Sequence, residues 1–198
     1  MTLRALAARA MVAVVGAAVA ACGQAATHAA NSTPADTQPV ARSVAFMVRV
    51  PAGWSDVTSN GAVVSSVKPD GTLLMLLQGP APAPVVQGVS DIAPIVLVMQ
   101  PKQPLTSAQV DTYLQSVKTS GATNVTEPTP TAVARSAATT VTYQSTLSSS
   151  LIQTKDVVVS HGGAMFEVEL ITSAKSFDKL QPTFDRLLTH DWVWVTAD

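Results

Sequence analysis

Cysteine is almost absent from this 198-residue chain: Cys22 is the only one. A single cysteine excludes an intramolecular disulfide, and with it the stapled scaffolds of small secreted domains. Charge is scarce as well, at 13% Asp, Glu, Lys and Arg, with no Lys/Arg cluster. Such a chain offers no electrostatic footprint for nucleic acid, and none is expected for anionic lipid. Aromatics are few, at 4 Phe, 3 Trp and 2 Tyr. No apolar stretch reaches the roughly 20 residues that a bilayer-crossing helix needs. Internal repeats, a G-x-S-x-G nucleophile elbow and the H-E-x-x-H metal spacing are all missing.

What is present begins with the setting of Cys22. Arg4 and Arg9 open the chain, an uncharged Ala/Val-rich stretch runs from Ala10 to Ala20, and Val19-Ala20-Ala21-Cys22-Gly23 closes it. A basic start, a short apolar run and small residues before a cut are the layout of an export signal. A branched aliphatic, two small residues and then cysteine resembles the lipobox of bacterial lipoproteins. The resemblance implies that residues 1–21 are removed and that Cys22, lipidated, becomes the first residue of the mature chain. Anchoring follows from the acyl chains, each buried methylene contributing about 0.8 kcal/mol. The expected location is the outer face of the cell membrane, in the cell envelope.

Removal of Arg4 and Arg9 leaves 10 basic against 13 acidic side chains, a net charge near −3. From Cys22 to Arg42 the sequence is rich in Ala, Gln, Thr, Ser and Pro with no hydrophobic period, which reads as a tether. Residues 43–198 are long enough for one domain with a sizeable core.

That domain reads mostly as strands. Val44, Phe46, Val48 and Val50 alternate along one face, and Pro51-Ala52-Gly53 turns the chain before Trp54. Ala62 to Val67 is a second strand, and Lys68-Pro69-Asp70-Gly71 a type I turn into the apolar run Leu73–Leu77. A run apolar on both faces calls for cover on both sides of the sheet. Ile92 to Met99, interrupted by Pro94, continues the pattern. Thr106 and Gln109 form a capping box, with Leu105 placed to staple to Val110, and predict a helix to about Thr119. Strands over Ala138–Thr146, Leu151–Ser160 and Ala164–Thr172 form a meander through Ser148-Ser149-Ser150 and His161-Gly162-Gly163, with short strands near Val125 and Val133 as further candidates. Ser176 is placed to cap a last helix with Phe177, Leu180, Phe184, Leu187 and Leu188 on one stripe, which Pro182 must kink or split. Trp192–Val195 alternates as an edge strand.

The segments Phe46–Trp54 (FMVRVPAGW) and Ser176–Leu188 (SFDKLQPTFDRLL), in this order of elements, resemble the PsbP/Mog1-like superfamily. More narrowly, the chain is similar to LpqN/LpqT-type exported lipoproteins. The resemblance covers most of residues 44–195. It implies an α+β fold, an antiparallel sheet with helices packed on both faces (an α/β/α sandwich), and a non-catalytic binding or accessory role at the cell envelope and its lipids. No functional residue is carried over, because the matching motifs mark fold positions.

Residue by residue, catalytic chemistry is thin. His28, His161 and His190 fall in tether, turn and helix end. Glu167 and Glu169 share one strand face, opposite Phe166, Val168 and Leu170, and read as a solvent-facing side; as a pair they could hold a cation or work with His161. Ser160 and His161, being adjacent on a strand, point to opposite faces and make no dyad. Trp54, Trp192 and Trp194 read as core or edge fillers. The loop Gly79–Ser90 (GPAPAPVVQGVS) is different: Val85, Val86 and Val89 have no periodic reason to be buried, and with the neighbouring strands they are the candidate binding residues. The expected function is a lipid-anchored, non-enzymatic module for an apolar envelope lipid or for a membrane transporter of such lipids, with no cofactor, metal or nucleic acid. A protein–protein adaptor without small ligand, or an envelope hydrolase, are the alternatives.

Cys22→Ala should move the protein from the membrane fraction to a soluble or uncleaved precursor form. Detergent phase partitioning checks this, and unchanged partitioning would refute the lipobox.

Overall fold

The computed structural model describes residues 38–60, 71–80, 92–101, 117–119, 121–147 and 150–195, together with Val110, Thr112 and Gln115. Strands β1 (Val40–Arg42), β2 (Phe46–Arg49) and β10 (Trp192–Trp194) form a small antiparallel sheet in the order β1-β2-β10. The large sheet comprises β3 (Ser55–Asp56), β4 (Gly71–Gln78), β5 (Ile95–Pro101), β6 (Thr129–Val133), β7 (Ser136–Leu147), β8 (Ser150–His161) and β9 (Ala164–Ser173). Its order is β3-β4-β5-β9-β8-β7-β6, with every pair antiparallel. One helix, α1 (Ala174–Thr189), follows β9 directly.

The central strands are aliphatic on both faces, as the Leu73–Leu77 run demands. On one face Met75, Leu77, Val96, Val98, Val157, Val159, Phe166, Val168 and Leu170 form a single core with Phe177, Phe184, Leu187 and Leu188 of α1 and Phe46, Val48 and Trp192 of the small sheet. On the other face lie two smaller clusters, one around Leu76, Ile95, Leu97 and Met99, the other around Val110, Val141, Val158 and Met165. β5 starts at Ile95, one residue past Pro94, whose ring nitrogen could not have donated to the ladder of so central a strand.

The small sheet closes the first core by aromatic contact. Phe46 stacks on Trp192 at 4.4 Å between centroids, and meets Phe166 and Trp194 edge-on at 6.2 Å each. Such pairs contribute about 0.5–1.5 kcal/mol each beyond the area they bury.

Several expectations need correction. Helices on both faces are not shown among the described residues: α1, the one helix described in full, lies on one face. The opposite face is touched by Val110, and a 3-10 turn, Val117–Thr119, is described further along the chain. Pro182 does not split α1, which runs unbroken across it. Four fully or nearly buried apolar side chains on the stripe offset the lost hydrogen bond and ring clash, a cost of about 3 kcal/mol. The helix starts earlier than Ser176; its N-cap position is Ser173, whose side chain makes no capping bond. Val40–Arg42, assigned to the tether by composition, is strand β1, paired with Arg49–Met47. Val44 is 91% exposed and does not share the face of Phe46, Val48 and Val50, because it sits in the β1–β2 connection, where the amides of Ala45 and Phe46 bond the Ser43 hydroxyl. Near Val125 there is only an isolated bridge, Thr123–Gln144. The signal segment and most of the tether, the Ala62–Val67 strand and the Thr106/Gln109 capping box lie outside the described residues.

Pro182 is exposed, so replacing it opens no cavity. Pro182→Ala should therefore stabilise the domain by about 1–3 kcal/mol through the recovered helix bond. Denaturant titration checks the sign.

Candidate functional site

Of the residues singled out as a site, Cys22, Val85, Val86 and Val89 all lie outside the described residues. What is described is how the valine-bearing loop is pinned. The Gly79 amide donates to the Pro94 carbonyl at 2.7 Å, so the loop leaves β4 and returns to β5 through a closed neck. A Cβ on Gly79 would stand 2.7 Å from the Pro94 ring and 3.0 Å from the Trp54 indole, so glycine is the residue this neck admits. Trp54, 9% exposed, is thereby a core wedge at the root of the loop.

The chemistry lies elsewhere, in the middle of the second face. Asp156 of β8 stands directly opposite Glu169 of β9, and Val158 opposite Glu167, one row along. A carboxylate oxygen from each of Asp156, Glu167 and Glu169 lies within 4.8 Å of the others. Asp156 is 0% and Glu167 3% exposed. The expectation of a solvent-facing Glu167/Glu169 side is thus overturned. The two glutamates do share a face opposite Phe166, Val168 and Leu170, but that face is the floor between the two smaller apolar clusters.

Like charges directly opposite across a ladder are destabilising, and burial strengthens the repulsion. Three carboxylates so close can share protons or surround one hard cation, the chemistry that all-oxygen donors serve. Tyr143, paired with Thr154 in the next row, reports their field. Its phenol is pushed well above the ordinary tyrosine value, first by burial, then by Glu169, Asp156 and Glu167, while a hydrogen bond with Thr154 opposes the shift.

His161 takes no part in this cluster. It lies on the opposite face, at the end of β8, and its Nδ1 is 2.8 Å from the hydroxyl of Ser136 at the start of β7. The ring stacks on Trp194 at 4.2 Å and 8°. The indole N–H of Trp194 reaches the Val133 carbonyl at 3.3 Å. A serine hydroxyl on a histidine nitrogen is the first half of a nucleophile–base pair; here the imidazole is oriented by an indole face, and among the described residues its partners are Ser136 and Trp194. Trp194 is accordingly more than an edge filler. The turns beside this pair are both tight, with positive φ at Ala134 and Arg135 (43° and 72°) and at Gly162 and Gly163 (57° and 76°).

No protein-family profile matches the sequence, and no curated protein matches it. Fold and layering define a class, an antiparallel α+β domain whose fold is like that of a solved envelope protein. The likeness that carries this is to a particular structure, LpqN, involved in cell envelope biogenesis of Mycobacterium tuberculosis: TM-score 0.50 and 13% identity, over 76% of this chain and 83% of that one. Cyanobacterial PsbP (CyanoP) from Synechocystis sp. PCC 6803 gives 0.48 at 14% identity, over 76% and 86%. A protein of unknown function from Pseudomonas aeruginosa, PA94, gives 0.48 at 11%, over 66% and 86%. At such identities the likeness is one of fold alone.

A raised phenol pKa makes a signed prediction. Protonated Tyr143 is favoured by the fold, so its contribution to stability is complete below pH ~10 and is lost as pH rises toward the elevated folded value. Absorbance titration should show one of the 2 tyrosines ionising only as the protein unfolds, and Tyr143→Phe should flatten the alkaline limb of the stability curve. Two ordinary tyrosine titrations would refute the burial of this phenol.

Proposed function

We propose that the protein is an exported lipoprotein of the cell envelope, held at the outer face of the membrane through Cys22 and acting as a non-catalytic binding or accessory module. The observation that carries this reading is the lipobox-like Val19–Gly23 in front of a domain with the fold of LpqN, a protein involved in cell envelope biogenesis. The ligand that fits best is an apolar envelope lipid, handled alone or together with a membrane protein that exports it. Support comes from the second face of the sheet. Leu76, Ile95, Leu97 and Met99 form an aliphatic floor there, with Val57, Leu73 and Ile171 packed against it. The strands that build this floor carry the two ends of the loop that bears Val85, Val86 and Val89. Apolar strands beside an apolar, proline-rich loop are the ingredients of an acyl-chain groove.

Native mass spectrometry of the protein purified gently from its own membrane tests the reading. A co-purifying lipid supports it; a stoichiometric protein and no lipid would favour an adaptor, and turnover of an ester substrate an envelope hydrolase. Replacing Val85 and Val86 by Ser should weaken lipid retention at an almost unchanged melting temperature. Were the pair core, the same change would cost on the order of 1–3 kcal/mol per residue and several degrees.

A further inference from the structure

Five large apolar side chains are exposed among the described residues: Val40, Val44, Leu151, Val193 and Val195. Four of them belong to the small sheet or its continuations. The register explains why they fall together. Val40 is opposite Arg49, Arg42 opposite Met47, and Met47 opposite Val193, so these side chains share the outer face while Ala41, Val48 and Trp192 point into the core. The Val195 amide bonds the Ala45 carbonyl, which carries the same face one row further. Val44, at 91% exposure, stands at the tip of the β1–β2 connection. Among the described residues, the cations on this face are Arg42 and Arg49, both exposed; Arg42 lies along the face, its Nη1 2.8 Å from the Met47 sulfur.

We propose that this outer face of the small sheet docks on an anionic lipid bilayer, with Val44, Val40, Val193 and Val195 entering the headgroup boundary and Arg42 and Arg49 meeting lipid phosphates. Exposed valines flanked by arginines are the two elements of interfacial binding, apolar burial and attraction to anionic headgroups. Arginine keeps its stem on the apolar side while its guanidinium reaches phosphate. Position in the chain selects a membrane over any other partner. β1 is the first described element after Cys22, and the 17 residues between Cys22 and Val40 span at most about 60 Å. The part of the domain that the anchor keeps nearest the bilayer is therefore the part that carries the valines and arginines. This rests on the lipoprotein reading for the anchor, not for the chemistry of the face. It also revises the expectation that no lipid-facing basic patch exists: the composition holds no Lys/Arg cluster, but the β1–β2 register makes a pair.

The test uses the full acylated chain, purified from membranes and reconstituted into phosphatidylcholine vesicles with and without phosphatidylglycerol. Val44→Cys and, at the far end of the β7–β8 hairpin, Thr146→Cys each receive a polarity-sensitive fluorophore. Flotation of the vesicles reports the anchor separately. The Val44 label should shift to the blue and be quenched by headgroup-level nitroxide lipid in phosphatidylglycerol vesicles, with the Thr146 label remaining in water. Arg42→Glu or Arg49→Glu should each lower the ratio of docked to undocked protein about fivefold or more. A Val44 label in water on protein that floats overturns the docking face and leaves the anchor standing. If the protein does not float, vesicles are added in excess. Protection of Val44 then upholds the face without the anchor, and no protection overturns it. Equal protection of Val44 and Thr146, or no dependence on phosphatidylglycerol, also overturns it. Circular dichroism of the arginine variants confirms that they fold.

Discussion

A sheet whose central strands are aliphatic on both faces needs two layers of cover, and most of this structure is the way that cover is found. β4 and β5 send Met75, Leu77, Val96 and Val98 to one side and Leu76, Ile95, Leu97 and Met99 to the other. The first side is closed by two unlike elements. α1 lays Phe177, Phe184, Leu187 and Leu188 across it, and the small sheet adds Phe46, Val48 and Trp192 at one end. The two covers are also tied to the rim of the large sheet, since the Ala134 amide bonds the Leu188 carbonyl at the last turn of α1. On the same face the ammonium of Lys155 in β8 pairs with Asp185 of the helix at 2.6 Å.

The same double-facedness puts carboxylates where charge is costly. Once Phe166, Val168 and Leu170 turn toward α1, the residues between them must face the other way, and two of those are Glu167 and Glu169. The β8–β9 ladder then sets Asp156 against Glu169. A fold selected for stability alone would fill these positions with aliphatics, as it does at Leu97 and Leu76 in the same row. The acidic floor is therefore a place in the described core where charge is gathered against local energetic preference, and such places concentrate at functional positions.

Much of this was legible in the sequence. Alternation gave the meander strands to within two or three residues, because a pleated strand with one core face repeats every second residue. The two-faced run at Leu73–Leu77 correctly demanded two covers, although it could not say what they were. Failures came where a long-range contact overrides a local signal. Pro182 reads as a helix breaker, yet burial of the stripe carries α1 through it; Ser176 reads as a cap, yet the chain enters the helix straight from β9 at Ser173. Val40–Arg42 has no strand pattern of its own and is a strand because β2 offers it an edge. For the site, the signal was present and unused. A two-residue Gly162-Gly163 turn fixes His161 opposite Ala164, and counting back along both strands sets Asp156 against Glu169. The same count around the Ser148–Ser150 connection brings Ser136 to His161. Residues 25 apart in sequence meet only through that register, which is why Ser160 drew attention and Ser136 did not.

The distribution of side chains gives the domain a direction. Trp194 joins the small sheet to the His161 and Ser136 end of the long hairpin, so that end, with the exposed valines and arginines, is the end at which the chain enters the domain. The β7–β8 strands, 12 residues each, carry the opposite turn on the order of 40 Å away. A surface that binds an apolar molecule and a surface that rests on a bilayer make different demands. The first must be recessed, or it would collapse onto any apolar partner; the second must be convex and tolerant, with short aliphatics and long cationic stems. The second face of the large sheet, with its buried floor of Leu76, Ile95, Leu97 and Met99, is the recessed one. The outer face of the small sheet has the second. The two faces lie on separate layers joined through one aromatic core around Phe46, so an apolar guest on the first and a bilayer against the second, as proposed above, would not compete for one surface.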